Sequence, residues 1–217
     1  MIPTSHKALK WAMVALLASP FWAGAQELSL HVNLPAYRLD VLRGEQRIRS
    51  YPIAIGARDF ETPIGAFDVR YIEWNPWWNP PDSPWAKDEK RTPPGPSNPM
   101  GRAKIEFLPL FYIHGSREPL ERAVSHGCIR MANDDVLELA ELLAKEAGAD
   151  VSAAEIAALE RDPDRTHHVR LPDPVRVHVV YRLVEEIDGK VHVYDDVYEM
   201  GMSSQEQELA RGRSNGR

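Results

Sequence analysis

The chain contains one cysteine, Cys128, in 217 residues. A single thiol cannot close an internal disulfide, and it excludes the paired-cysteine zinc frameworks. Basic residues are also scarce: 26 Lys plus Arg stand against 32 Asp plus Glu, a formal net charge of −6. That balance excludes a general nucleic-acid binder, while leaving room for a local basic site. Neither a glycine-rich phosphate loop nor an internal repeat occurs. The apolar run from Trp11 to Trp22 covers about a dozen residues, too short to span a bilayer comfortably.

That apolar run reads instead as part of an export signal. His6, Lys7 and Lys10 form a weakly basic start, and Ala23-Gly24-Ala25 is a small-residue cleavage site. Residues 1–25 are therefore expected to be removed, leaving a mature chain that starts at Gln26 and has no stable membrane span; an uncleaved anchor is the alternative. Cleavage leaves 24 Lys plus Arg against 32 Asp plus Glu. The remaining length can bury a full core as one domain.

Hydrophobic periodicity points to a mainly β fold with one or two peripheral helices. Leu28, Leu30, Val32 and Leu34 alternate with polar residues, and Tyr37, Leu39 and Val41 continue the pattern. Arg43-Gly44-Glu45 reads as a hairpin turn, with Ile48 to Ile55 returning and Phe67 to Ile72 as a further strand. Lys104 to Ile113 reads as one strand that delivers His114 at its end. Asn133 is placed to cap a helix carrying Val136, Leu139, Ala140 and Leu143 on one face, with Gly148 as its stop. Ser152 and Glu155 match a capping box for a second helix, ended by Asp162-Pro163. Val175 to Leu183 alternates as a strand, and Asp188-Gly189 fits a tight hairpin turn. The polar tail from Ser203 to Arg217 is expected to be disordered.

Residues 74–99 break this pattern with eight prolines and four tryptophans. That proline density forbids a regular helix or central strand. Disordered segments are poor in aromatics, so an ordered loop packed on the domain is expected. Trp74, Trp77 and Trp78 either line a substrate groove or pack the loop on the core. His167-His168 is expected in a solvated turn rather than at a metal, because adjacent strand residues point apart.

The chemistry concentrates around the cysteine, in Ser125-His126-Gly127-Cys128-Ile129-Arg130. A lone Cys with histidines nearby is a candidate nucleophile, because the thiolate attacks while imidazole takes the proton. Two histidines compete for that role: His126, two residues before the cysteine, and His114, fourteen residues upstream. A buried, inert thiol and a structural histidine are the bland alternatives.

Four segments together resemble a known family. Ile113-His114-Gly115 followed by Ser125 to Arg130 is similar to the active-site signature of the L,D-transpeptidases, the YkuD-type catalytic domain. Thr62-Pro63-Ile64-Gly65-Ala66-Phe67 resembles the family's Thr-Pro-x-Gly-x-Phe segment. Gly95-Pro96-Ser97-Asn98-Pro99-Met100-Gly101 resembles its Gly-Pro-x-Asn-Pro-Met/Leu-Gly segment. The chain departs from the pattern at Glu121-Arg122-Ala123, where many relatives carry a glycine.

The resemblance implies an L,D-transpeptidase-like β-sandwich or barrel. The catalytic domain would occupy residues 26–152, and a C-terminal helix and β-hairpin extension residues 153–202. It implies a periplasmic enzyme without metal or organic cofactor, in which Cys128 takes an acyl group from a peptidoglycan tetrapeptide stem as a thioester. An amine acceptor, on a second stem or on a protein, then resolves it. Hydrolysis, as in an L,D-carboxypeptidase or a peptidoglycan–lipoprotein hydrolase, is the alternative reaction; a non-catalytic wall-binding module is the alternative class. It implies His114 as base, with the Gly115 carbonyl orienting its ring. Gly127 either lends its amide to an oxyanion hole or merely permits a turn. His126, Ser125 and Tyr112 would line the pocket. Arg130 would bind a stem carboxylate or form a structural ion pair.

Overall fold

The computed structural model describes residues 27–212, so the expected export signal lies outside the described residues. Eight strands form one mixed sheet. In chain order they are β1 (Leu28–Asn33), β2 (Arg38–Arg43), β3 (Gln46–Pro52), β5 (Gly65–Trp74), β6 (Ala103–Leu108), β7 (Phe111–Ser116), β9 (Ile129–Ala132) and β10 (His167–Val180). Their spatial order is β3-β2-β1-β10-β5-β6-β7-β9. Two short strands, β4 (Ile55–Gly56) and β8 (Ala123–Ser125), pair in parallel. Past β3 the chain crosses to the far edge: Ala54 and Arg130 exchange both backbone hydrogen bonds, at 2.9 and 2.8 Å. The sheet thereby curls into a nearly closed barrel, which leaves few unpaired edge groups.

Alternation explains the core. Leu30, Val32, Leu39, Val41, Ile105, Ile113, Ile129 and Met131 share one buried cluster. Helix α1 (Asn133–Glu146) covers it with Val136, Leu139, Ala140 and Leu143. Helix α2 (Ala153–Arg161) starts at the expected capping box, with Ser152 and Glu155 satisfying each other's backbone amides. The hairpin β11 (Val184–Ile187) and β12 (Lys190–Val193) turns at Asp188-Gly189, both at positive φ, the geometry of a tight primed turn.

Five expectations change. Lys104 to Ile113 is a hairpin, not one strand: Pro109 and Leu110 make the turn, Leu110 at φ +71°. Asn133 does not cap α1; its side-chain oxygen accepts the Arg102 amide at 2.9 Å instead. The strand assigned to a C-terminal extension lies inside the main sheet, because β10 pairs with β1 on one side and β5 on the other. Its Pro172 and Pro174 sit in a register shift between Arg170 and Val175, where a missing amide costs no ladder bond. His167 and His168 open β10 rather than sit in a turn. Finally, Ser204–Gly212 form a third helix, α3, where a disordered tail was expected; residues 213–217 lie outside the described residues. Glu206 holds its start by accepting the Leu183 and Val184 amides.

Candidate active site

Three adjacent strands build the floor of the site. Register places Lys104 on β6 beside His114 on β7, and His114 beside Arg130 on β9. The core takes Ile105, Ile113 and Ile129, so the two-residue period of a strand sends Lys104, His114 and Arg130 to the opposite face. Tyr112 is two residues before His114 on that same face. The turn leading into β9 adds Cys128. All five residues line one cavity of about 510 Å³.

His114 is buried, with 1% of its surface exposed. Its Nδ1 lies 2.9 Å from the Gly115 carbonyl oxygen. A carbonyl can only accept, so Nδ1 carries the proton and Nε2 is left with its lone pair. Burial lowers the His114 pKa from 6.5 to about 4; the Gly115 bond opposes this, and the Arg130 and Lys104 charges add to it. The imidazole is therefore neutral across the physiological range.

The surroundings of Gly115 hold that carbonyl in place. A side chain at Gly115 or at Gly101 would collide with Asn133 Oδ1. Gly101 sits at φ +64°, which glycine adopts freely. Asn133 thus joins α1 to the 101–102 turn beside the carbonyl that orients the His114 imidazole.

Cys128 is half-buried. Burial raises the pKa of its thiol, against smaller downward pulls from the Tyr112 amide and the Arg130 charge. The thiol lies 3.9 Å from the Leu110 carbonyl. Gly127 takes φ +99°, and a side chain there would strike the Phe111 ring. Its amide donates to Ser125 Oγ at 3.1 Å, and that hydroxyl donates to the Cys128 carbonyl. The buried Ser125 therefore ties the turn that carries Cys128 together.

The opposite wall is the proline-rich loop, ordered as expected. Buried Asn98 donates to the carbonyls of Pro76, Thr92 and Pro93 at 2.7 to 3.2 Å. Asn75, at φ +46°, donates to Leu159, Asp162 and Arg165 at the end of α2. Trp78 and Thr92 bridge across the loop, and Arg91 stacks over Trp77 at 3.9 Å. Proline removes amide donors, so two asparagine side chains supply bonds that a backbone ladder supplies elsewhere.

Trp77 and Trp78 line the cavity, whereas Trp74 does not: it is fully buried in the core as the last residue of β5. His126 is exposed at the rim. There it stacks on Trp85 at 3.8 Å between ring centroids and meets Phe60 edge-on at 4.5 Å. Arg130 lines the cavity and pairs with Glu118, the ion pair of its two expected roles. Glu121, in the stretch where the chain departs from the family pattern, sits at φ +57°, the left-handed region a glycine enters without strain.

Sequence reasoning missed Lys104, Trp85 and Asn133. Lys104 shares the phase of His114 once β6 and β7 are paired, but merging them into one strand hid that register. Its Nζ lies 2.8 Å from Glu73, both side chains being largely buried. Trp85 sits on a single 3-10 turn, Pro84–Ala86, where no period signals the direction of a side chain. Among the described residues no group of three metal-ligating side chains occurs.

Proteins provisionally named L,D-transpeptidase YkuD and YqjB are similar to the chain. The Bacillus licheniformis YkuD protein is 31% identical over 115 residues, covering 52% of this chain and 58% of its own length. The chain thus spans under two thirds of the first such relatives. Bacillus subtilis YqjB is 31% identical over 140 residues, covering 58% of this chain and 74% of that protein. The solved catalytic domain from the E. faecium L,D-transpeptidase aligns with TM-score 0.44 and 15% identity, over 71% of this chain and 98% of that one. The YkuD family, the L,D-transpeptidase catalytic domain, matches residues 28–177, from the first strand into β10 and across the whole site. The chain therefore belongs to the YkuD-type L,D-transpeptidase catalytic domain family.

Proposed function

We propose that this protein is a periplasmic cysteine acyltransferase that cross-links peptidoglycan stem peptides. One observation carries the reading: a half-buried thiol and a neutral imidazole, the latter fixed in one tautomer by the Gly115 carbonyl, open into the same cavity. Burial raises the thiol pKa and lowers the imidazole pKa, so the resting pair is neutral. Proton transfer then accompanies attack.

In the first half-reaction the thiol proton passes to His114 Nε2 as Cys128 Sγ bonds to the acyl carbon of the stem's third residue. The Cys128 amide is the donor on this turn for the developing oxyanion, since Ser125 occupies that of Gly127. The terminal D-Ala amine takes the proton from the imidazolium and leaves, and a thioester remains. In the second half-reaction His114 takes a proton from the acceptor amine, which attacks the thioester and expels the Cys128 thiolate; the imidazolium returns that proton to Sγ and restores the neutral pair. Lys104 and Arg130 on the floor, with Trp77 and Trp78 on the wall, hold the stem. An amine-bearing protein in place of a second stem gives attachment instead of a cross-link.

Defined tetrapeptide muropeptides analysed by mass spectrometry test the reading. Wild type is expected to yield 3→3 dimers with loss of D-Ala, and Cys128→Ala none. Tripeptides without dimers would reassign the enzyme as a hydrolase, and full activity in Cys128→Ala would exclude the thioester.

A further inference from the structure

The family match ends at residue 177, yet the chain beyond it reaches back to the catalytic turn. The connecting piece is the crossover segment 54–62, which leaves the barrel edge and runs beside the nucleophile loop. At Gly56 this segment turns so tightly that a side chain would collide with the Phe60 carbonyl. The Gly56 amide donates to Thr62 Oγ1 at 2.9 Å, which closes the turn from inside. Tyr198, 5% exposed, closes it from outside. Its hydroxyl donates to the Gly56 carbonyl at 2.8 Å and accepts the Thr62 amide at 3.2 Å.

The next residue of the turn touches the site. The Ala57 amide donates to the Ser125 carbonyl at 2.8 Å, and Gly56 is paired with Ser125 in the β4–β8 ladder. Ser125 Oγ in turn holds the Gly127 amide and the Cys128 carbonyl. Phe60, from the same turn, meets the rim histidine His126.

Tyr198 is itself held firmly. Its amide donates to Tyr181 Oη at 2.7 Å, that hydroxyl donates to Asp196 at 2.7 Å, and the two tyrosine rings stack at 5.4 Å. Beside it Glu199 pairs with Arg58 through both carboxylate oxygens. Gly56, Thr62, Ser125 and Tyr198 are buried, where a bond directs geometry most strictly.

We propose that the segment Tyr181–Glu199 is a positioning clamp for the nucleophile, with the Tyr198 hydroxyl as its key group acting on Cys128 through Gly56, Ala57 and Ser125. This rests on the reading of Cys128 as the nucleophile but not on the identity of the acyl donor or acceptor. A small displacement of a reacting atom costs much rate and little ground-state affinity.

The experiment follows Cys128 alkylation by iodoacetamide across pH, a readout that needs no peptidoglycan, together with turnover of muropeptides. Tyr198→Phe keeps the ring and removes the hydroxyl. It is expected to slow alkylation several-fold, shift its pH midpoint, and lower kcat about tenfold with KM within about twofold. Glu199→Gln, on the surface and safe for folding, is expected to move the alkylation profile in the same direction by a smaller factor. Tyr194→Phe, in the same segment but bonded to Arg38 and Glu185, is the control and is expected to leave it unmoved. The clamp is overturned if the profile is unmoved in both Tyr198→Phe and Glu199→Gln, or if Tyr194→Phe moves it equally. Should Tyr198→Phe not fold, Glu199→Gln against Tyr194→Phe decides. A silent muropeptide assay beside a shifted alkylation profile would count against the proposed substrate and leave the clamp standing.

Discussion

The two walls of the cavity around Cys128 and His114 are made by different means. The floor, β6, β7 and β9, is held by backbone ladders, and its functional side chains follow from strand register. The facing wall, residues 75–102, has few ladder bonds and depends on Asn75 and Asn98, each serving three carbonyls. The floor carries the chemistry, the wall the aromatic surface. A ladder distributes its stability over many equivalent bonds, so single side chains on the floor can be chosen for reactivity. A wall that leans mainly on two side-chain amides concentrates more of its stability in them, so those two residues are less free to change.

The largest effect that separates the walls belongs to the floor. His114→Gln removes the base while leaving the ladder, so kcat/KM for cross-linking is expected to fall by about 10²–10⁴-fold, measured on defined muropeptides. The same variant tests the burial of this imidazole through pH. Its pKa is lowered in the folded protein from 6.5 to about 4. The unfolded chain therefore binds the extra proton between those values, and the stabilisation present above pH 6.5 is lost as pH falls toward 4. That loss amounts to about 3 kcal/mol in urea titrations of wild type, and the slope is expected to flatten in His114→Gln.

The next effect belongs to the wall. Asn98→Ala leaves buried carbonyls without a donor and is expected to cost about 2 kcal/mol. Because the wall is hung on so few groups, the variant should raise KM more than it lowers kcat, and limited proteolysis should cut first within residues 74–99. An unchanged KM with lowered global stability would mean that wall and floor form one mechanical unit, against the contrast drawn above.

The smallest effect sits where the walls meet. Trp85→Ala removes the stack between the loop and His126. Such ring pairs contribute about 1 kcal/mol, so a several-fold rise in KM with little change in kcat is expected. A matching fall in kcat would instead move Trp85 from the wall to the reacting centre.

Much of the floor was legible in the sequence, for a reason visible residue by residue. Leu28 to Val41 alternate because one face of each strand is buried, so the pattern and the structure have one cause. Cys128 and His114 were legible as candidates because a lone thiol with histidines nearby suggests that chemistry, and Gly115 through the family resemblance; the structure opens the thiol and the imidazole into one cavity. The wall was legible only as ordered and aromatic. Nothing in the spacing of Trp74, Trp77, Trp78 and Trp85 tells that the first enters the core and the last stacks on a histidine. Asn133 misled because asparagine suits both a helix start and a distant amide, and only the arrival of Arg102 and Gly101 beside it selects between them.

By itself, then, the sequence determined most of the strands, the turns at Gly44 and Asp188-Gly189, the second helix and the family, and it singled out Cys128 and His114 as candidates. All of these rest on local periodicity, turn chemistry or contiguous motifs. Tertiary structure alone decided that β10 lies at the centre of the sheet, that Lys104, His114 and Arg130 stand in one row, and that Tyr198 reaches the turn beside the Cys128 loop. Each of these joins residues that are remote or unpatterned along the chain. Such pairings are selected by the closing of the barrel and the burial of its core, which no local window contains.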